Sequence, residues 1–419
     1  MKKTTQLAAI AVGLSAVLAL AGCGHTTGGS PTAAAADSIS SGPAKGTITM
    51  WAMGAEGTSL PGFVKTFEKA NPGVTVNVTA IPWDAAHNKF QTAVAGGTTP
   101  DIAMMGTTWM ADFANAFSTV PSNFGDKGFF DGSVATTKVA GQTVGVPWYV
   151  DTRVLYYRTD LAKKAGWDKA PTSWDQLKQL ASDMQTKAGA KFGIRLPIGN
   201  DAFQGTLWMP WSNGASLTSG SKWTLDTPEM VKAYEYYQSY YKAGIADPNI
   251  ESATQEASFV DGSTPMFIDG PFELGQLAQV GGAGFDSKYA TVTLPAQKSS
   301  TSFTGGSNLV VFKKSANQDA AWKLAQWFTK PAVQADWFKL SGDLPAVQSS
   351  WKESALASNE KLAVFGEQLK TAKSTPATTT WTQVSAAADT ALETIRRGTV
   401  TVPDALKDLQ SKADSIGMG

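Results

Sequence analysis

Aromatic residues placed beside carboxylates are the feature of this sequence with the clearest chemical use. The chain has 14 Trp among its 419 residues, and several of them fall in predicted loops next to polar side chains. An aromatic face covers the C–H patches of a sugar ring, whose hydroxyls then need fixed polar partners in a closed cleft. The groups that predict such a cleft are Trp83 with Asp84, Trp109 after Gly106-Thr107-Thr108, Trp148 and Tyr149 before Asp151 and Arg153, and Trp208 and Trp211 with Asn213.

Two alternatives remain open for these residues. Any single Trp is as consistent with a position in the core or at the lobe interface as with stacking on a ligand. The prediction of a sugar-binding cleft therefore depends on the whole group. Arg153 can form a structural ion pair with Asp151 or donate to sugar hydroxyls. A secreted glycoside hydrolase with Asp84 and Asp151 as its acid and base is the alternative function, because two carboxyls about 5 to 10 Å apart can cleave a glycosidic bond.

The other residue types argue against most other chemistries. The 2 histidines, His25 and His87, are too few for a His-rich zinc site, and no nucleophile motif accompanies them for a catalytic triad. No Gly-rich phosphate loop follows a predicted strand. We therefore expect no metal and no cofactor.

The N-terminus resembles the export signal of a bacterial lipoprotein. Lys2 and Lys3 precede an uncharged stretch at 7–20, which is too short to span a bilayer as a helix. Leu20-Ala21-Gly22-Cys23 resembles a lipobox, so residues 1–22 are predicted to be the signal peptide and Cys23 to carry the lipid that anchors the protein to the extracytoplasmic face of the cell membrane. A stray cysteine in an ordinary cleavable signal is the alternative.

Composition limits the partners and the stabilising chemistry. Cys23 is the single cysteine, so the folded part can contain no disulfide. Residues 23–45 are rich in Gly, Ser, Thr, Ala and Pro and are predicted to form a flexible tether. The formal net charge of the whole chain is 0, and without Lys2 and Lys3 there are 33 basic against 35 acidic residues. Neither nucleic acid nor an anionic surface is an expected partner, since both require a basic excess.

Strands and amphipathic helices alternate along the rest of the chain. This pattern predicts an α/β fold with parallel sheets covered on both faces, and it places the aromatic groups near the carboxyl ends of strands, where open sheets bind ligands. The predicted elements are strands at 47–51, 74–78, 101–105 and 144–157, a turn-rich loop at 54–57, and helices at 63–70, 83–94, 109–117, 174–184, 228–243, 317–338 and 403–416.

Several segments occur in the order of a known family. Residues 63–78 resemble its F-x-K-x-N-P-G-V-x-V unit, 95–101 its A-x-G-x-x-P-D, 145–161 its first inter-lobe crossing, 171–177 its P-x-T-W-D-E-L, and 305–309 and 342–346 its second and third crossings. The sequence from Thr47 onward thus resembles the extracellular solute-binding proteins of sugar ABC importers, the group that includes the maltose-binding proteins. The resemblance implies a two-lobed periplasmic-binding-protein (Venus-flytrap) fold with three hinge crossings. Lobe I is then 46–152 with 306–344, and lobe II is 153–305 with 345–419.

The resemblance also implies ligand contacts and a function. The segment Met266 to Phe272 is similar to the family's M-x-x-x-G-x-W, with Phe272 where tryptophan is common. The implied function is capture of an oligosaccharide and its delivery to an ABC permease by a monomeric protein. Segments 80–87 and 107–110 resemble actinobacterial binders of plant-derived disaccharides, which favours a β-linked xylo- or gluco-disaccharide over maltose or trehalose. The expected contacts are Glu56, Trp83, Asp84, Trp109, Trp148, Tyr149, Asp151, Arg153, Trp208, Trp211, Asn213, Asp269, Phe272 and Gly306.

Overall fold

The computed structural model describes residues 38–248 and 255–419. The predicted signal peptide, Cys23 and the first part of the predicted tether lie outside these residues. The strands are β1 Lys45–Met53, β2 Gly73–Ile81, β3 Ile102–Gly106, β4 Lys138–Val139, β5 Gln142–Thr143, β6 Val146–Thr152, β7 Val154–Arg158, β8 Thr218–Ser219, β9 Lys222–Trp223, β10 Met266–Asp269, β11 Tyr289–Val292, β12 Thr304–Val311 and β13 Leu344–Pro345.

The helices cover the faces of the sheets. They are α1 Gly54–Phe63, α2 Lys65–Ala70, α3 Trp83–Gly96, α4 Met110–Phe113, α5 Asp131–Thr136, α6 Thr159–Lys164, α7 Trp174–Thr186, α8 Ala202–Thr206, α9 Trp208–Ser212, α10 Pro228–Lys242, α11 Gln255–Asp261, α12 Glu273–Gly281, α13 Gln318–Phe328, α14 Pro331–Ser341, α15 Ser354–Ala357, α16 Glu360–Leu369, α17 Trp381–Arg397 and α18 Val402–Ile416.

The first lobe contains a mixed sheet. Its six strands lie in the order β13-β6-β12-β3-β1-β2. β1 runs parallel to β2 and β3, whereas β12 runs antiparallel to both β3 and β6. The prediction of purely parallel sheets is therefore wrong. The error arises because β12 joins the first sheet only after the chain has passed through the second lobe. The alternation of strands and helices predicts the direction of strands that follow one another in the sequence, and β12 is not one of them.

The chain crosses between the lobes three times. The second lobe has a sheet of the order β10-β7-β11, in which both outer strands are antiparallel to β7. The chain leaves the first sheet at Thr152 and enters the second at Val154, returns at β12, and leaves again after β13. This topology confirms the predicted two-lobed fold with three crossings.

Each lobe has its own aromatic core. In the first lobe Trp322 and Trp327 of α13 are buried, Trp322 against Phe124 and Trp327 against Phe63 and Phe67. In the second lobe Trp174 of α7 is buried and stacks on Tyr236, with ring centroids 4.2 Å apart. All three tryptophans lie on the apolar faces of their helices, which explains their burial. Such rings bury large apolar areas, which compensates for the absence of a disulfide framework.

Local sequence signals place two helix starts correctly. The side chain of Ser173 accepts a hydrogen bond from the backbone N–H of Gln176 and begins α7. Thr227 does the same for Met230 at the start of α10, with Pro228 in the first turn. Both are N-cap arrangements that satisfy backbone donors otherwise left without a partner.

Other local expectations are wrong. Residues 54–57, predicted to be a loop, begin α1, and residues 208–212, where two of the tryptophans assigned to predicted loops lie, form α9. The predicted tether extends to residue 45, yet Ile39 is buried and its backbone N–H donates to Asn123 Oδ1 at 2.8 Å. Ser40 also donates to Asp319, and the backbone N–H of Ala44 donates to Asn71 Oδ1, so this part of the segment is docked on the first lobe.

Gly306 provides a test of the second crossing. Its φ is +108°, and a Cβ added there would lie 2.2 Å from the carbonyl oxygen of Tyr149. We expect Gly306→Ala to lower the free energy of unfolding by more than about 1 kcal/mol, because alanine fits neither this backbone conformation nor this contact. Urea unfolding measures the change.

A second glycine is the control for this substitution. A Cβ added at Gly62 in α1 would have no heavy atom within 4 Å. Gly62→Ala should leave stability unchanged or raise it by up to about 1 kcal/mol, because alanine has the higher helix propensity. Equal unfolding midpoints for Gly306→Ala and the unsubstituted protein would contradict the close approach at the crossing.

Candidate ligand-binding cleft

The first wall of the cleft lies at the carboxyl ends of β1, β2 and β3. Glu56 is in the first turn of α1, directly after β1, and Trp83 is the first residue of α3, after β2. Trp109 follows β3 and meets Trp83 edge to face, with ring centroids 5.6 Å apart. Trp83 is 41% exposed, which is unusual for so large an apolar ring. The predicted residues of this wall are therefore brought together, with Asp84 exposed beside Trp83.

Tyr149 connects this wall to the crossing strands. Its hydroxyl donates to Glu56 Oε1 at 2.9 Å and accepts from Ser307 Oγ at 3.1 Å. Burial raises the pKa of Tyr149 well above its ordinary value, and the nearby charges of Asp343 and Glu56 act in the same direction. The hydroxyl therefore keeps its proton and holds Glu56 in one orientation.

Asp343, just before β13, is a residue of the cleft that the sequence does not predict. Trp337 Nε1 donates to its Oδ2 at 2.9 Å. Burial raises the pKa of this carboxyl to about 7, with further contributions from the charges of Glu56 and Asp151. In the sequence, the segment 342–346 indicates only a crossing. The presence of a carboxylate so close to a predicted hinge is the signal that could have identified it.

Arg153 lies at the first crossing, between β6 and β7. Its Nη1 forms an ion pair with Asp151 Oδ2, and its Nε is 3.4 Å from Asp269 Oδ1 at the end of β10. The guanidinium therefore links the last strand of the first lobe to a strand of the second. Of the two alternatives for Arg153, the structure contains the ion pair with Asp151. A Cβ on Gly270 would lie 2.8 Å from Arg153 Nη1, so glycine leaves the space that this pair occupies.

The second wall is formed by the segment after β10. Phe272 is 51% exposed, and its ring centroid is 6.0 Å from the Arg153 guanidinium carbon. Behind it, Gln255 Nε2 donates to Asp269 Oδ2 at 3.1 Å and to Glu273 Oε1 at 2.9 Å. Burial raises the pKa of Glu273 to about 8, and the charges of Asp269 and Glu256 add to that effect. Exposed Phe272 is thus backed by a buried polar network.

Open space lies between the two lobes at the hinge. A cavity of about 550 Å³ is lined by residues of both lobes, including Tyr149, Asp151, Gly306 and Asp343 from the first and Phe272 from the second. A second cavity of about 380 Å³ lies along the second lobe and includes Arg195, Asn200, Gln255 and Asp269. Cavities of this size suit small-molecule ligands.

Four of the expected contacts lie in the cores and not in the cleft. Trp148 is 1% exposed and packs against Trp337 at a centroid distance of 5.1 Å. It alternates along β6 with Tyr149, so only one of the two can face the cleft. Trp208 and Asn213 are also buried, in the core around α9, where Asn213 Nδ2 donates to the carbonyl of Glu229. Trp211 is 4% exposed, and it lines a separate cavity of about 370 Å³ with Ala135 and Lys138 of the first lobe. These three residues belong to or follow a short helix, α9, and not a loop.

The fold and the cleft together define a class of protein. Two α/β lobes joined by three crossings, with a polar and aromatic cavity at the hinge, make up a binding protein that encloses a small solute. In residues 38–248 and 255–419 no helix is long and apolar enough to cross a membrane. The same residues contain no group of three or more His, Cys, Asp or Glu that could hold a metal ion.

Comparison with known proteins identifies the family. Residues 62–364 match the model of the bacterial extracellular solute-binding proteins, and the chain belongs to this family. The sugar-binding protein MalE from Xanthomonas citri is 32% identical, with a TM-score of 0.84 over 88% of this chain and 97% of that one. The diacetylchitobiose binding protein DasA of Streptomyces coelicolor is 26% identical over 83% of this chain and 84% of its own length. The family consists of binding proteins and not enzymes, so the glycoside hydrolase alternative is not supported.

The buried Glu273 gives a pH test of the second wall. Its native pKa of about 8 lies above the usual glutamate value of about 4.3, so between these values the native state binds a proton that the unfolded chain has released. The stabilising effect is therefore complete below about pH 4 and is lost as the pH rises to about 8. Glu273→Gln should reduce the fall in unfolding free energy across this window, by up to about 1.4 kcal/mol per pH unit.

Urea unfolding from pH 5 to 9 checks this expectation. Asp343, with its pKa of about 7, contributes a slope of the same sign in both proteins, so the difference between them isolates Glu273. Glu367→Gln is the control, because the carboxylate of Glu367, on α16, is 64% exposed and pairs with Lys370. Identical pH slopes for Glu273→Gln and the control would show that Glu273 ionises as an ordinary glutamate.

Proposed function

We propose that this protein binds a short oligosaccharide in the interlobe cleft and delivers it to the membrane subunits of an ABC importer. The observation that carries the proposal is the cavity at the hinge, in which residues from both lobes combine an exposed aromatic ring with carboxylate and hydroxyl groups. Phe272 provides an apolar face, while Tyr149, Asp151 and Asp343 provide polar contacts. Sugars need both kinds of surface, since each ring has C–H faces and hydroxyl edges.

The names of similar proteins support this ligand class. MalE from X. citri is described as sugar-binding, DasA as binding diacetylchitobiose, and a Pyrococcus abyssi relative, 23% identical over 68% of this chain, as binding maltotriose. These ligands differ in linkage and ring substituents. They therefore support an oligosaccharide without selecting one.

Closure of the lobes is the mechanism that the architecture supports. Glu56 belongs to the first wall, Tyr149 and Asp343 lie beside it at the crossings, and Phe272 belongs to the second wall. A sugar that touches both sides therefore makes its full set of contacts only when the lobes approach. Such a ligand favours the closed state by its differential affinity for that state. A sugar whose hydroxyls leave a buried carboxylate without a hydrogen-bond donor binds with lower affinity, and this difference provides stereochemical selectivity.

The particular sugar and the membrane attachment are finer parts of the proposal. A β-linked xylo- or gluco-disaccharide is the first ligand proposed, from the resemblance of segments 80–87 and 107–110, with maltose and trehalose next. We further propose that Cys23 carries a lipid that holds a monomeric protein on the extracytoplasmic face of the membrane, close to its permease. Mass spectrometry of the membrane-extracted protein tests the lipid directly.

A thermal-shift panel tests the proposed function. Xylobiose, cellobiose, maltose, trehalose and chitobiose are added to the purified protein, and the sugars are chromatographed afterwards. A ligand that binds only the native state raises the unfolding midpoint as its concentration exceeds the dissociation constant. We expect a clear shift with at least one intact sugar. Cleaved sugar, or no shift with any member, would refute the proposal.

Removal of an exposed aromatic ring tests the location of the ligand. Phe272→Ala should weaken sugar binding by about tenfold, or about 1.4 kcal/mol, because a ring that covers a sugar face is lost. Trp83→Ala should have a similar effect from the opposite lobe. Val280→Ala is the matched control. Val280 is also 51% exposed, and it lies on α12, the helix that begins directly after Phe272. Calorimetric titration gives the affinities, and equal values for Phe272→Ala and Val280→Ala would place the ligand elsewhere.

A further inference from the structure

The hinge cavity contains more acidic than basic groups. Asp151 and Asp343 line it, and Glu56 is bonded to Tyr149 at its edge. The nearby base, Arg153, is already paired with Asp151 and lies 3.4 Å from Asp269. In the part of the chain that the structure describes, neither Glu56 nor Asp343 has a basic side chain within 4.0 Å. Among the described residues, Asp343 thus lines the cavity and Glu56 adjoins it through Tyr149, and neither carboxylate is paired with a protein cation.

These carboxylates are held in fixed positions. Trp337, 2% exposed and packed in the first-lobe core, donates to Asp343 Oδ2, so the side chain cannot turn away from the cavity. Tyr149 fixes Glu56 in the same way through its hydroxyl. Positioned acceptors of this kind favour a ligand whose donors match them and discriminate against one that lacks such donors.

One oxygen of a third carboxyl lacks a donor. Asp151 Oδ2 pairs with Arg153, but within the described residues Oδ1 is buried and has no hydrogen-bond partner. Native structures leave few buried acceptors without a partner, and Asp151 is a residue of the cavity lining, so this carboxyl adds an unsatisfied acceptor next to the cavity. The cavity therefore requires donors, and around Glu56 and Asp343 its described lining also lacks positive charge.

An amine meets both requirements. A hydroxyl can donate a hydrogen bond to a carboxylate but leaves its charge uncompensated, whereas an ammonium group donates up to three hydrogen bonds and compensates the charge. The mutual repulsion of the carboxyls adds to the effect of burial in raising the pKa of Asp343, as expected where no cation compensates them among the described residues. A uronate or phosphorylated sugar would meet like charge here.

We propose that the cleft selects oligosaccharides that carry a protonated amine, with the ammonium group held between Glu56 and Asp343 on the side of Tyr149. The proposal rests on the function proposed above, since it specifies the substrate class of the same cavity. It assigns Asp343, together with Glu56, as a specificity-determining residue.

Calorimetric titration of the purified protein tests this selectivity. The neutral disaccharide with the largest thermal shift is compared with derivatives in which one hydroxyl in turn is replaced by an amine, at a pH where the amine is protonated, and with a derivative that carries a carboxylate. We expect at least one amine to bind about tenfold more tightly than the parent sugar and the carboxylate to bind more weakly than it. The advantage of the amine should shrink as salt is added.

Isosteric variants identify the groups responsible. Asp343→Asn and Glu56→Gln remove the charge with little change in shape, and the ratio of amine to parent affinity should fall toward one in each. Asp336→Asn is the control, because Asp336 lies on α14, close to Asp343 in the chain, but is 61% exposed and pairs with Lys339. It should leave the ratio unchanged.

The outcomes separate this inference from the proposed function. Binding of the neutral sugar with no amine preferred overturns the selectivity and leaves oligosaccharide capture intact. A preference that survives in the Asp343→Asn and Glu56→Gln double variant also overturns it, because the ammonium then lies elsewhere. Failure of every neutral sugar and every amine refutes both proposals.

Discussion

Arg153 forms ion pairs with two carboxylates, Asp151 and Asp269, and the arrangement of the cleft depends on them. Burial alone would lower the pKa of this guanidinium, but the charges of Asp151 and Asp269 outweigh burial and raise it above its ordinary value. An ion so placed is tolerated only because its partners are also held in place. Asp151 belongs to the last strand of the first lobe before the crossing and Asp269 to a strand of the second lobe. One charged group thus links the two lobes at the first crossing.

Strand direction sets the position of the first wall. Glu56, Trp83 and Trp109 come together because the parallel strands β1, β2 and β3 end at one edge of the sheet. The segment after β10 presents Phe272 from the other side. Each lobe has its own aromatic core, and a third buried cluster packs Val150 and Leu344 of the first lobe against Tyr156 of the second around the crossings. A sugar or amino sugar that spans both walls acts on the relative position of the lobes and not on the interior of either lobe.

The amino-acid sequence predicts the architecture better than the contacts. Caps at Ser173 and Thr227 are local and can be read directly, and the two-lobed fold follows from the order of several short segments. The antiparallel entry of β12 is not predictable, because strand direction depends on where a distant segment returns. Among the tryptophans, Trp83 and Trp148 have similar neighbours in sequence, yet one is exposed and the other buried. Which side of a strand faces the cleft depends on register. Asp343 is not predicted from the sequence, because its position in the cavity wall depends on Glu56 and Asp151, which are distant in the chain.

The interlobe distance is the most direct test of ligand capture at this hinge. Spin labels on cysteines introduced at Asn88 in α3 and Gln276 in α12, with Cys23 replaced by serine, report on the two lobes in the purified protein. Pulsed electron-spin measurements give the distance with and without the sugar that calorimetry shows to bind. A sugar held between the walls should shorten the distance and narrow its distribution. Full binding with no change in that distance would contradict capture by closure of the lobes.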